Sequence, residues 1–110
     1  MATTYKVLGQ SAPSATTDTT LYTVPASKAA IISTIVIANR DSASATFSIA
    51  VRPAGATIAN QHYIAYGVSV GANDSTALTL GVTLATTDVV TVYASSANLS
   101  FNAFGSEVDA

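Results

Sequence analysis

The chain has 110 residues, no cysteine, a net charge of −2 and only 9% charged residues. That length fits one domain with a modest core, and the absence of cysteine excludes disulfides and thiolate metal sites. Lys6, Lys28, Arg40 and Arg52 are scattered along the chain, so no basic patch faces nucleic acid.

Tyr5-Lys-Val-Leu8 is a short alternating segment before Gly9, and Gln10 to Asp18, rich in Ser, Ala and Thr with Pro13 inside, reads as an extended loop or arm. Thr19 to Val24 is the next strand, closed by Pro25, which cannot donate to a central ladder. Ala29 to Ala38 is β-branched and free of charge, Gly and Pro. By simple alternation Ala29, Ile31, Ser33, Ile35 and Ile37 share one face, and Ala30, Ile32, Thr34, Val36 and Ala38 the other. Both faces are largely apolar, whereas a strand of an antiparallel sheet usually turns one face to water. The second face is therefore expected to meet another subunit.

Asn39 to Ala43 is a polar turn, and Ala45 to Val51 alternates cleanly, with Phe47, Ile49 and Val51 on one side. Arg52-Pro-Ala-Gly55 breaks the strand. Gln61 to Tyr66 is a fifth strand that continues through Val68-Ser-Val70. Tyr63 and Tyr66, an odd step apart, are expected on opposite faces. Thr76 to Leu80, Asp88 to Ala94 and Leu99 to Phe104 follow, the last two joined by a hairpin turn at Ser95 to Asn98. The glycines read as strand ends, and residues 106–110 as a loose tail.

About eight strands with turn signals roughly every 8–12 residues predict an all-β fold, a single antiparallel sandwich of jelly-roll type. An immunoglobulin-like sandwich is the alternative, without its Cys–Trp–Cys signature. Three segments are expected: an N-terminal strand and arm over 1–20, the sandwich over 21–105, and the tail over 106–110. The N-terminus has no basic segment followed by an apolar one, so no signal peptide is expected. No apolar run approaches the roughly 20 residues a membrane helix needs.

Chemistry-bearing patterns are few. His62 is the only histidine, one metal ligand where three or four are needed and a base without a dyad partner. Asp18, Asp41, Asp74 and Asp88 each stand beside Ser, Thr or Asn in a predicted turn, where a carboxylate bonds nearby backbone amides. No Gly-x-Ser-x-Gly elbow occurs. Neither catalytic residues nor a metal or cofactor are expected. An exposed tyrosine beside Asn60, Gln61 and His62 is compatible with sugar binding.

Leu21-Tyr-Thr-Val-Pro-Ala26, Ile35-Val-Ile-Ala-Asn-Arg40, and Ala50-Val-Arg-Pro-Ala-Gly55 running on to Gln61-His-Tyr-Ile-Ala-Tyr66 together resemble small virion structural proteins of tailed bacteriophages, particularly those infecting cyanobacteria. Leu99 to Glu107 fits the same pattern. The resemblance implies a non-enzymatic virion protein made in the host cytoplasm. Its first form is a capsid cement or decoration protein, its second a tail, neck or fibre component; a receptor- or glycan-binding module is a third reading. Expected partners are copies of itself (a trimer first, a dimer second) and the major capsid protein or other virion proteins. The interface is expected at Tyr5, Val7, Leu8, Ile32, Thr34, Val36, His62, Tyr63 and Tyr66, with Tyr5 to Thr20 either an arm onto a neighbour or an edge strand of its own sandwich.

Overall fold

The computed structural model describes residues 3–110. Eight strands follow one another: β1 (Thr3–Ser11), β2 (Thr19–Thr23), β3 (Lys28–Asn39), β4 (Ala45–Arg52), β5 (Tyr63–Val70), β6 (Ser75–Leu84), β7 (Val89–Ala94) and β8 (Leu99–Asp109). Two short 3-10 turns, Pro53–Gly55 and Asn60–His62, lie between β4 and β5. One sheet has the order β1-β8-β3-β6 and the other β2-β7-β4-β5, all neighbours antiparallel. The pairings β1 with β8, β2 with β7, β3 with β6 and β4 with β5 are those of one long antiparallel ribbon rolled on itself. This is a jelly roll, and the immunoglobulin alternative falls away.

Burying side chains between two sheets requires the chain to keep crossing from one sheet to the other. Only β4 and β5 are consecutive within a sheet. The Ser95–Asn98 turn is thus not a hairpin, because it carries the chain from β7 in the second sheet to β8 in the first. The core forms where inward rows meet. Phe47 of β4 and Phe101 of β8 pack edge-to-face across the two sheets, centroids 6.1 Å apart. Ile35, Ile37, Ile49, Val90, Val92 and Leu99 fill the space around them, all essentially inaccessible to water. Buried Asn39 is satisfied at one end of this layer, its side-chain amide donating to the carbonyls of Ala43, Val70 and Gly71.

Several expectations yield to β-bulges. In β3 the pairing slips between Ile32 and Thr34, so Ser33 is an extra residue and the alternation changes parity there. Ala30 and Ile32 face the core before the bulge, and Ile35, Ile37 and Asn39 after it. Much of what reads as two apolar faces is therefore a single inner face that changes parity half-way. A second slip in β1, between Val7 and Gly9, turns both Leu8 and Gly9 inward, and β6 slips opposite Ser33. The glycines do not simply end strands either: Gly9, Gly67, Gly81 and Gly105 lie within β1, β5, β6 and β8.

The N-terminal segment is an edge strand of its own sandwich rather than an arm, since β1 pairs with β8 from Thr3 to Ser11. The loop after it is fastened too, with Pro13 buried and the Thr16 amide donating to the Ala94 carbonyl at 2.7 Å. Residues 106–109 are not a tail. They extend β8 between β1 and β3, and Glu107 turns inward to be only 7% exposed. Its carboxylate accepts the Tyr22 hydroxyl at 2.5 Å and the Lys6 ammonium at 3.3 Å. Those two donors hold the Glu107 carboxyl below its ordinary value, the Tyr22 bond having the larger effect. Burial and the same bond push the Tyr22 phenol up.

Candidate interface and tyrosine groove

Two surfaces stand out, one on the outer face of each sheet. On the first sheet the register sets outward residues in rows across the strands. Tyr5, Ser106, Ile31 and Thr83 form one row, and Val7, Phe104, Thr34 and Thr79 the next. Gln10, Asn102, Val36 and Ala77 form a third. Tyr5, Val7, Ile31 and Phe104 are exposed although large and apolar, as is Leu80 at the β6 slip. No Asp, Glu, Lys or Arg occurs in these rows. Lys6, between Tyr5 and Val7, turns the other way to Glu107. Tyr5, Val7, Ile31, Ser33 and Phe104, with Lys6 also in the lining, surround a shallow depression of about 510 Å³.

This sorts the expected interface residues. Tyr5, Val7, Thr34 and Val36 lie on the uncharged outer face. Leu8 and Ile32 do not, since they are core residues, 9% and 1% exposed, turned inward by the local register. Tyr63 and Tyr66 belong to the second sheet, and His62 to the 3-10 turn just ahead of its edge strand β5, so these three do not lie on the first sheet's outer face with the others.

On the second sheet a groove is built from β4, β5, β7 and the loop ahead of β2. Thr46 and Ser48 point outward from β4, and Tyr93, paired with Ser48, from β7. Tyr63 and Tyr66 project together rather than apart. Tyr63 pairs with Ala50 and Ala65 with Ile49, which leaves Ile64 as an inserted residue and makes the odd step even. Their rings meet edge-to-face at 4.9 Å and 78°, and Tyr66 is still 74% exposed. Gly67, at φ +61°, turns the chain after Tyr66, and its amide donates to the Ser48 hydroxyl at 3.0 Å.

The β4–β5 loop lies beside the groove, lining the neighbouring depressions through Thr57, Ile58 and Asn60. Arg52 fastens it, donating to the carbonyls of Ala56 and Gly55 and to the Thr91 hydroxyl. Asp88 accepts the amides of Ala54 and Ala85, and the His62 Nδ1 accepts the Ala59 amide at 3.0 Å, an assigned tautomer that closes the loop before β5. Asp18, on the loop ahead of β2, stands on the rim. Asp18, Thr46, Ser48, Tyr63, Tyr66 and Tyr93 enclose about 410 Å³. Burial, and then the charge of Asp18, raise the Tyr63 phenol above its ordinary value.

Sequence reasoning singles out Tyr63 and Tyr66 but misses Tyr93, Ser48 and Asp18. The outward parity of Tyr93 against Val90 and Val92 is readable; its place beside β4 depends on the sheet order, which is not. Among the described residues no group of three or more His, Cys, Asp or Glu is placed to hold a metal. No family model, curated protein or solved structure matches this chain.

Proposed function

We propose that this chain is a non-enzymatic structural protein of a tailed-phage virion, first a capsid cement or decoration protein, which works by covering the outer face of its first sheet. The uncharged outer face of β1, β8, β3 and β6, with Tyr5, Val7, Ile31 and Phe104 exposed on it, carries the reading. Such a face gains free energy when it is covered, at about 25 cal/mol per Å² of apolar area before association costs. Contiguous apolar patches of this kind commonly mark contact surfaces. A copy of the same chain is the first occupant, as a trimer before a dimer, and a major capsid subunit the second. The jelly-roll fold, the low charge and the resemblance of Leu21–Ala26, Ile35–Arg40 and Ala50–Gly55 to small phage virion proteins support it.

Ion pairs contribute little to such attachment. Lys6 and Lys28 are already paired with Glu107 and Asp109 within the chain, and exposed pairs are worth about 0–1 kcal/mol each. Attachment should therefore survive high salt. A neck, tail or fibre component would use the same surface, and no feature of the chain favours that place in the particle.

The test is mass spectrometry and an electron-microscopy map of purified virions whose genome encodes this chain. The expected map has the sandwich on the shell with the first sheet turned toward a neighbouring copy or a capsid subunit. Absence of the chain from virions, or a first sheet facing solvent, would overturn the proposal.

A further inference from the structure

The carboxylates of the chain differ in one respect. Asp41 accepts the Ser42 amide and the Asn98 side chain, Asp74 the Ser75 amide, and Asp88 the amides of Ala54 and Ala85. Glu107 is held by Tyr22 and Lys6, and Asp109 by Lys28. Asp18 is the exception among the described residues, making no hydrogen bond and no ion pair, and it stands on the rim of the tyrosine groove.

The groove also shares lining residues with two further depressions. Tyr63 and Tyr66 are shared with a depression of about 360 Å³ that reaches Asn60. Asp18 is shared with one of about 260 Å³ bounded by Arg52, Thr57, Ile58 and Thr91. Three adjoining depressions suit a chain of similar units rather than one compact ligand.

We propose that this groove binds a neutral hexopyranose oligosaccharide. A pyranose ring has an apolar C–H face and a rim of hydroxyls, and the groove offers the complement of each. The rings of Tyr66, Tyr63 and Tyr93 supply rigid apolar surface with a polar tip. Asp18 supplies two unengaged acceptor oxygens for vicinal hydroxyls, and hydrogen bonds to an ionised acceptor are about twice as strong as neutral ones. Thr46 and the asparagine at position 60 add shorter polar reach. An acidic sugar fits poorly, because Asp18 repels it and Arg52, the nearest cation, is committed to two carbonyls and a hydroxyl. A proline-rich peptide would stack on the same rings, but its carbonyls are acceptors and so is the free carboxylate. The groove lies on the face opposite the one assigned to assembly, so binding here does not depend on that assignment.

The chain contains no tryptophan and five tyrosines, three of them in the groove, so a change in tyrosine fluorescence can accompany calorimetry. The probes are short neutral oligosaccharides of glucose, galactose and mannose, with the corresponding polysaccharides in affinity gels; the gels separate recognition within a chain from recognition of a free end. At least one series should bind, with Tyr66→Ala and Asp18→Asn each weakening it about tenfold or more. Both residues are exposed, so both variants should fold. No binding of any probe at millimolar concentration would overturn the assignment. So would parent-like affinity in Tyr66→Ala and Asp18→Asn, or binding of proline-rich peptides in place of sugars.

Discussion

Replacing Gly105 with alanine tests the sheet register directly. A Cβ built at Gly105 would lie 1.9 Å from the Ile31 carbonyl oxygen, 2.9 Å from its carbon and 3.0 Å from the Ile32 Cα. A carbon normally approaches a carbonyl oxygen no closer than about 3.3 Å. The neighbouring strand must therefore retreat by more than an ångström, and that strand is β3, at the centre of the first sheet. Losing about two ladder hydrogen bonds at ~1 kcal/mol each, with ~2 kcal/mol of overpacking, gives a destabilisation of about 4 kcal/mol. Against a total stability of about 5–15 kcal/mol, that is a large fraction. With an m-value of about 2 kcal/mol/M the urea midpoint should fall by about 2 M. Gly67→Ala is the control. Nothing lies within 4 Å of its added Cβ, so only the left-handed φ of +61° opposes it, at about 1–2 kcal/mol. A Gly105→Ala midpoint within about 0.3 M of the parent's, or above that of Gly67→Ala, would refute the close approach of β8 to β3.

Three further outcomes follow from polar side-chain contacts. Tyr22→Phe deletes a 2.5 Å bond to the buried Glu107 carboxylate and should cost about 1.5–3 kcal/mol by urea melt. Glu107 titrates lower in the folded chain than unfolded, so its contribution is present above the unfolded carboxyl value and is lost as pH falls through the folded one. Urea midpoints taken between about pH 6 and pH 3 should therefore drop in the parent and drop less in Glu107→Gln; parallel curves would contradict this. Asp88→Ala frees the amides of Ala54 and Ala85 and should cost about 1–2 kcal/mol, with faster amide exchange at those two positions.

What the sequence discloses is local, and what it conceals is long-range. Alternation correctly turns Phe47 and Ile49 of β4, and Leu99, Phe101 and Ala103 of β8, into the core, because neither stretch carries a slip in its inward row. It fails at Ser33, Leu8 and Ile64, where one inserted residue reverses the parity and nothing in the local composition announces it. The end of β8 is hidden for another reason. Gly105 and Ser106 read as a break, and Glu107 reads as surface until its partners arrive from 85 and 101 residues away. The tyrosine groove needs both kinds of information: the bulge that brings Tyr66 beside Tyr63, and the sheet order that lays Tyr93 beside β4. Asp18 reads as a turn residue like Asp41, Asp74 and Asp88, yet it alone of the four bonds no neighbour among the described residues.

The central claim is that the uncharged face of the first sheet exists to be covered, and light scattering on a sizing column measures that directly. At tens of micromolar the parent should run as a trimer or dimer, with the same mass in 0.5 M salt. Phe104→Glu, which sets an unpaired charge in the middle of that face between Val7 and Thr34, should run as a folded monomer with an unchanged far-ultraviolet spectrum. A parent that stays monomeric, or a Phe104→Glu variant that associates as the parent does, would contradict the account.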